Sequence, residues 1–119
     1  VVGIGLNVNQ MDFDPALPNP TSLAAAFGRE WNLDEVMARL FICLEQRYLQ
    51  LKAGRLQEIK QAYEAVLFRI HQTTQFIKTA DDTTFDGVIR GVAETGHLRV
   101  EVAGKGEVTF DLKEIRVVF

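Results

Sequence analysis

The chain opens with Val1-Val2-Gly3-Ile4-Gly5-Leu6-Asn7-Val8-Asn9, the stretch with the most chemistry in the sequence, and we interpret the other elements as its support or partners. Side chains alternate between the two sides of a β-strand, so the aliphatic residues point one way and the glycines and asparagines point the other. The aliphatic side is typical of a buried surface, and it comprises Val2, Ile4, Leu6 and Val8. We therefore expect a buried strand over residues 1–9 with one bare face.

The bare face of this strand is a candidate binding surface. Two glycines on one side of a strand usually mean that another backbone or a ligand approaches closely, and Gly3 and Gly5 share that side. Asn7 follows on the same side with a carbonyl acceptor and an amide donor, a pair that suits the edge of a purine or an amide. The alternative is a strand crossed by a helix, with Asn7 capping a turn. A dinucleotide-binding turn is disfavoured, because Val8 stands where the third glycine of that fingerprint would be.

Composition places the chain among soluble globular proteins. Hydrophobic residues make up 47% of its 119 residues and charged residues 24%. A net charge of −3 and a pI near 5.3 give no basic surface for nucleic acid. The sequence has no apolar run of the roughly 18 residues that a membrane span needs. We expect a cytoplasmic protein that binds neither membrane nor, through this part, nucleic acid.

Cys43 and the first residues of the chain indicate, respectively, the redox environment of the protein and whether the sequence starts at a cut edge. Cys43 is the only cysteine and has Phe41, Ile42 and Leu44 beside it, so we expect a buried structural thiol and no disulfide within the chain. The chain begins directly in the hydrophobic stretch, without an initiating methionine, and no other segment of its first half supplies a neighbouring strand. We therefore expect the N-terminus to be a cut edge.

Three helices are predicted after a proline-bearing loop, over about 22–27, 33–53 and 56–67. Thr21 or Ser22 can cap the first helix and Gly28 can end it. Asn32 with Glu35 resembles a capping box for the second helix. The second and third helices carry apolar stripes at helical spacing, so we expect them to pack as a hairpin on the sheet that contains the first strand. These stripes comprise Leu33, Val36, Met37, Leu40, Leu44, Tyr48 and Leu51, then Leu56, Ile59, Tyr63, Val66 and Leu67.

The last third of the chain is predicted to be a small β-barrel. Five short β-rich runs, separated by turn signals, fall at 76–78, 84–92, 97–102, 107–111 and 115–119. Their small size and even spacing favour an SH3-like barrel. His71 and His97 lie far apart with no cysteine nearby, which favours ordinary polar roles over metal binding.

Two separate blocks of the sequence resemble biotin protein ligases. Residues 3–9, followed by a proline-bearing loop and Thr21-Ser22-Leu23, resemble the last part of the catalytic domain of these enzymes. Residues 85–92, then Gly96-His97-Leu98 and Lys113-Glu114-Ile115, resemble their small C-terminal barrel. The resemblance implies an α+β fold: the end of a mixed-sheet catalytic domain over 1–68, and an SH3-like barrel over 69–119.

The resemblance also implies an activity and roles for particular residues. These ligases form biotinyl-AMP from biotin and ATP, with Mg²⁺, and then transfer the biotinyl group to a lysine of a carrier protein. The roles implied here are biotin binding for Gly3, Gly5 and Leu6, and adenylate (ATP) binding for Asn7. With the resemblance in view, the ligand interpretation of the bare face is preferred. The barrel is expected to help hold ATP or the carrier domain, with Arg90 and residues 91–96 as a candidate surface.

The sequence departs from the family pattern in two motifs. The Gly-Arg-Gly-Arg-x-Gly loop and the Lys-Trp-Pro-Asn-Asp strand are absent, and these supply the charge stabilisation that adenylation requires. We therefore expect this piece to be inactive alone and assign it no catalytic residue. A stand-alone protein-binding module with an SH3-like barrel is the alternative. The sequence leaves open the carrier protein, homodimer formation and a preceding DNA-binding domain.

Overall fold

The computed structural model describes residues 1 and 3–118 of the chain, and within them it has three helices and five strands. The expected α+β class is confirmed. None of the described helices is long and apolar enough to cross a membrane. The elements are α1 (Leu23–Phe27), α2 (Leu33–Lys52), α3 (Leu56–Glu64), β1 (Thr73–Lys78), β2 (Thr84–Val92), β3 (Leu98–Val102), β4 (Gly106–Phe110) and β5 (Ile115–Val117).

The chain divides into two compact units, Val1–Leu49 and Gln50–Phe119. The boundary lies inside α2, whereas the sequence resemblance places a boundary after residue 68. The first unit contains α1 and most of α2, and the second contains α3 and the five strands. We keep the division at 68/69 as a prediction about the domains of the ligase family.

The second unit contains one antiparallel sheet in the order β4-β3-β2-β1-β5. The central strand β2 matches its predicted bounds, and the others begin or end within three residues of theirs. Phe76 on β1 pairs with Phe85 on one side and Val117 on the other. Between Ile89 and Gly91 the register of β2 against β3 shifts by a bulge.

The sheet encloses its own hydrophobic core. Phe76 and Val100 are 0% exposed, and Ile89 and Ile115 complete the buried cluster. Because side chains alternate along a strand, one face of each strand supplies this core. Burial of each large side chain contributes about 1.5–3 kcal/mol. Residues from all five strands meet in the cluster, so the sheet curls around a single interior; the partly buried members are Leu67, Ile70, Phe85, Leu98, Val102, Phe110 and Val117.

The third helix is shorter than the sequence predicts. It ends at Glu64 rather than near residue 67, because the amides of Val66 and Leu67 bond to carbonyls three residues back, as in a tight turn. The turn directs Leu67 and Ile70 against the core of the sheet. The predicted extension to residue 67 is therefore wrong.

The predicted caps of the first two helices are confirmed. The Ser22 hydroxyl accepts a hydrogen bond from the amide of Ala25, and Gly28 ends α1 at φ 68°. The Asn32 side-chain oxygen accepts bonds from the amides of Asp34 and Glu35 at the start of α2. These bonds satisfy amides that have no partner inside the helix.

The expected strand over residues 1–9 does not form among the described residues. Gly3 to Leu6 have no regular secondary structure, and Ile4 and Leu6 are each 51% exposed. Val8 is half-buried, and the expectation for Val2 lies outside the described residues. A strand requires a neighbour to complete its backbone hydrogen bonds, and every strand of the described part belongs to the sheet of the second unit.

The expected burial of the helical stripes is also wrong. No residue of α2 or α3 is buried, and Leu33, Met37 and Leu56 are among their exposed apolar residues. Cys43 is exposed as well, contrary to the expected buried thiol. The periodicity of a helix identifies which face is apolar, but not whether anything covers that face.

Candidate functional site

Residues 3–9 are held in place by the start of α1. The carbonyl oxygens of Asn7 and Val8 accept hydrogen bonds from the amides of Leu23 and Ala24, at 3.1 and 2.8 Å. The first amides of a helix have no partner within it, so these bonds satisfy two of them. The backbone around Asn7 is therefore fixed although it belongs to no strand.

The side chains of Asn7 and Asn9 reinforce this position. Asn7 donates from Nδ2 to the carbonyl oxygen of Thr21 at 3.2 Å. Asn9 accepts at Oδ1 from the Trp31 amide, at 2.9 Å, and donates from Nδ2 to the Trp31 carbonyl oxygen, at 2.8 Å. This two-point contact joins residues 22 positions apart. Sequence reasoning overlooked Asn9, although its amide offers the same donor and acceptor as that of Asn7.

Trp31 anchors the other side of the Asn9 contact. Its ring lies 5.7 Å from the ring of Phe27, edge to face, and the Arg29 guanidinium lies 3.7 Å above it. Edge-to-face aromatic pairs and cations over a ring face are both favourable. No sequence pattern pointed to this cluster, in which Arg29 and Trp31 lie in the short connection between α1 and α2 and Phe27 is the last residue of α1.

The predicted site residues lie along an open apolar strip. Among the described residues, and apart from its chain neighbours, a Cβ atom added at Gly3 or at Gly5 would have nothing within 4 Å. Leu6 is half exposed beside them. Asn7 follows: its side-chain Nδ2 makes the hydrogen bond to Thr21, and its side-chain Oδ1 takes no part in that bond. The strip is therefore open, and it ends at a fixed amide side chain.

No metal centre is assigned. Within residues 1 and 3–118, no group of three or more histidine, cysteine, aspartate or glutamate side chains is placed to hold a metal ion. The Nδ1 atom of His97 lies 2.6 Å from the Thr95 hydroxyl oxygen.

Shifted pKa values occur in the second unit, away from the glycine strip in sequence. Hydrogen bonds from the Thr83 hydroxyl and amide hold the pKa of the Asp81 carboxyl below its ordinary value. The two-point hydrogen bond from Arg99 lowers the pKa of Glu107, and the same bond raises the pKa of Arg99. These shifts reflect a turn and a cross-strand ion pair, so they indicate no acid or base for catalysis.

The second unit carries an apolar groove of about 720 Å³. One wall consists of the last residues of α2 and one side of α3, and the other is the turn between β2 and β3. Residues 92–94 and Gly96 of the predicted barrel surface line this groove, whereas Arg90 pairs with Glu101 at 2.7 Å. The helical wall comprises Leu51, Leu56, Gln57, Ile59, Lys60 and Tyr63.

Glu64 joins α3 to the sheet beside this groove. Its Oε1 accepts a hydrogen bond from the Val92 amide at 2.9 Å, and Lys60 lies 4.0 Å from the same oxygen. The next residue back in β2, Gly91, adopts φ 125°, and a Cβ atom there would collide with the Glu64 carboxylate. The bulge in β2 therefore favours glycine at this position because of its backbone angle, and a larger residue would also displace the Glu64 carboxylate.

Comparison with solved structures identifies the class of fold. Biotin protein ligase from Aquifex aeolicus, in its apo form, superposes with a TM-score of 0.73 over 94% of this chain and 49% of its own, at 18% identity. The structure of that enzyme in complex with biotin and ATP gives the same TM-score, over 47% of its length. The match is to the C-terminal part of these ligases. No protein-family model matches the chain.

Curated relatives give the same result from sequence. The bifunctional ligase/repressor BirA of Bacillus subtilis (strain 168) is 32% identical over 104 residues, which is 85% of this chain and 31% of BirA. BirA of Bacillus spizizenii gives the same figures. The resemblance predicted from sequence is thus confirmed: the chain is similar in sequence and in fold to the C-terminal region of biotin protein ligases. It spans about a third of the length of these curated relatives.

Proposed function

We propose that this chain is the C-terminal part of a biotin protein ligase and contributes one wall of the site in which biotin and ATP react. The intact enzyme would form biotinyl-AMP and then pass the biotinyl group to a lysine of a carrier protein. The observation that carries the proposal is the open strip at Gly3 and Gly5, which ends at the anchored Asn7. Two similar proteins support it, since one is named a ligase and the other was solved with biotin and ATP.

Each residue of the strip has a separate role in the proposal. Gly3 and Gly5 leave the backbone bare, so the ring system of biotin can approach to van der Waals distance. Leu6 adds apolar surface against the ligand, and it is half exposed when nothing covers it. Asn7 pairs with the adenylate, because its side chain is pre-positioned by Thr21 and needs little reordering on binding.

Under the same proposal, we expect this chain to be inactive when it is separated from the rest of the ligase. Adenylation brings the biotin carboxylate against the phosphates of ATP, so two anionic groups must be stabilised in the transition state. The strip carries no charged side chain from Gly3 to Asn9. The cationic contribution must then come from elsewhere in the ligase, and Mg²⁺ would supply part of it.

The proposal is tested with a hybrid ligase, in which residues 1–119 replace the matching region of Bacillus subtilis BirA. We expect transfer of labelled biotin to a carrier domain by the hybrid and no biotinyl-AMP from the 119-residue chain. In the hybrid, Asn7→Ala should weaken adenylate binding by about 1–3 kcal/mol, or roughly 5- to 150-fold, as expected when a buried polar partner is lost. Isothermal titration calorimetry with a non-hydrolysable biotinyl-adenylate analogue measures this directly.

A neighbouring amide serves as the control. Gln10 is exposed, and its Nε2 donates to the nearby carbonyl oxygen of Asp12, at 2.9 Å. Gln10→Ala should leave the affinity unchanged. Equal affinities for the wild type and Asn7→Ala would contradict the adenylate role. Biotinyl-AMP formed by the isolated chain above a no-protein control would contradict its inactivity, and a hybrid that binds carrier protein but never transfers biotin would favour the binding-module alternative.

A further inference from the structure

Asn9 makes a contact within the first unit that the proposed function does not use. Its Oδ1 accepts a hydrogen bond from the Trp31 amide at 2.9 Å, and its Nδ2 donates to the Trp31 carbonyl oxygen at 2.8 Å. One side chain thus satisfies both backbone groups of Trp31, as a neighbouring strand would. Asparagine suits this contact, because its amide carries a donor and an acceptor side by side. We name this pair of hydrogen bonds the Asn9 clamp.

The position of Trp31 depends on the Asn9 clamp. Residues 28–32 connect α1 to α2 and form neither helix nor strand. The indole Nε1 of Trp31 is buried and makes no hydrogen bond to the part of the chain that the structure describes. The ring packs against Phe27 and Arg29, which are both close to it in the sequence. The Asn9 clamp therefore joins Trp31 to a distant part of the chain, which its ring contacts do not.

Helix α1 is held at both ends by residues 7–9. It is only five residues long, and a helix that short is not stable by itself. At its start, two amides donate to the carbonyl oxygens of Asn7 and Val8. Beyond its end, the Asn9 clamp holds Trp31. Loss of the clamp would therefore leave this short helix attached at its start only.

The side chain of Asn7 takes its orientation from the same helix. Its Nδ2 donates to the carbonyl oxygen of Thr21 at 3.2 Å, and Thr21 comes directly before Ser22, the cap of α1. Asn7 is exposed, so its amide depends on this bond for a fixed direction. If α1 shifts, the Thr21 carbonyl moves with it and the Asn7 amide is no longer ordered. A side chain that must be ordered on binding lowers the affinity for the ligand.

We propose that Asn9 is a positioning residue for the adenylate contact: it holds Trp31, and through α1 it keeps the Asn7 amide aligned. The inference rests on the proposed function and extends it, since it names the residue that fixes the orientation of Asn7. Both polar atoms of the Asn9 side chain are engaged by Trp31, so Asn9 acts on the ligand through Asn7. Gly3 and Gly5 lie at the other end of the strip, so the biotin contact is much less sensitive to the clamp.

A double-mutant cycle in the hybrid ligase tests this dependence. Asn9→Ala and Asn7→Ala are made separately and together, and the affinity for the biotinyl-adenylate analogue is measured by calorimetry. We expect Asn9→Ala alone to weaken binding by roughly 3- to 30-fold, where the upper limit is equivalent to two ordinary hydrogen bonds. In the Asn7→Ala background, the same change should weaken binding by less than about twofold, because the residue through which Asn9 acts is already gone.

Two further variants separate positioning from a general loss of structure. Phe27→Ala removes the ring contact with Trp31 but leaves the clamp, and it should change the affinity by less than about twofold. Asn9→Ser carries one polar side-chain atom in place of two and cannot reproduce both bonds, so it repeats the cycle if Asn9→Ala does not fold. In the transfer assay, Asn9→Ala should raise the KM for ATP and leave the KM for biotin within about twofold of the wild type, whereas a loosened structure would raise both.

The outcomes separate this inference from the proposed function. Equal losses of affinity for Asn9→Ala in the two backgrounds, no loss in either, or parallel rises of both KM values would overturn the inference and leave the proposed function standing. An Asn7→Ala variant that binds the analogue as tightly as the wild type would remove the adenylate role itself, and the inference would fall with it.

Discussion

The two units of this chain differ in how many of their own side chains they bury. The second unit buries Phe76 and Val100 fully and draws on all five strands for its core. Among the described residues of the first unit, the buried side chains are Ser22 and Ala24, both at the start of α1. The difference indicates that the second unit carries a hydrophobic core of its own, whereas the described part of the first unit buries few side chains.

The largest expected effect tests where stability resides. Phe76→Ala should lower the free energy of unfolding by about 3–5 kcal/mol, since it removes a fully buried ring and leaves a cavity. Phe27→Ala is the matched control in the first unit, where the ring is 67% exposed, and should cost less than about 1 kcal/mol. Urea unfolding followed by circular dichroism measures both. Similar losses for the two variants would remove the contrast between the units.

The next largest effect tests whether the hydrogen bond from Val92 to Glu64 holds α3 against the sheet. Glu64→Ala should cost about 1–3 kcal/mol, because the Val92 amide loses its partner at a half-buried position. Glu58→Ala on the same helix removes an exposed pair with Arg55 and should cost well under about 1 kcal/mol. Gly91→Ala should also destabilise the chain, and less so when combined with Glu64→Ala, since the double variant relieves the collision. Equal effects at positions 58 and 64 would show that α3 is only loosely attached.

A smaller and more local effect is expected in the first unit. Asn9→Ala removes both bonds to the Trp31 backbone, worth about 1 kcal/mol each in a partly buried setting. Trp31 is the only tryptophan, so its fluorescence reports on this unit alone. We expect stronger acrylamide quenching and a red-shifted emission, with little change in the circular dichroism of the sheet. Gln10→Ala is the control; an unchanged Trp31 signal in Asn9→Ala would show that the contact does not order the unit.

The smallest effect is the pH dependence of the Arg99–Glu107 pair on the surface of the second unit. The pair lowers the pKa of Glu107 below the ordinary value of 4.5. Its stabilisation is therefore present above the pKa of an unfolded glutamate and is lost as the pH falls through the lower pKa of the folded state. Glu107→Gln should reduce stability at neutral pH and converge on the wild type in acid, as chemical unfolding of both proteins across that pH range measures. A pH-independent difference would contradict the role of the pair.

The elements that the sequence predicted well are those set by local rules. Ser22, Gly28 and Asn32 mark helix ends because capping depends on neighbouring residues. The bounds of β2 followed from its alternation and the turns beside it. The recognition of the ligase family came from two blocks of residues rather than from composition.

The failed predictions concern partners distant in the sequence. The strand over residues 1–9 and the buried faces of α2 and α3 both require a covering layer, and no local pattern states whether that layer is present. The contacts of Asn9 with Trp31 and of Glu64 with Val92 span 22 and 28 residues, and spacing gave no signal for either. The roles of Gly3, Gly5, Leu6 and Asn7 stay predictions that the ligand experiments test.

The most direct test of the contrast between the units is amide hydrogen exchange on the 119-residue chain and on the hybrid ligase. We expect the amides of β1 to β4 to be equally protected in both proteins, because the sheet completes its own core. Residues 3–8 and α2 should gain protection only in the hybrid, where the rest of the ligase can cover them. Equal protection of these residues in both proteins, or a gain spread evenly over the sheet, would contradict the account.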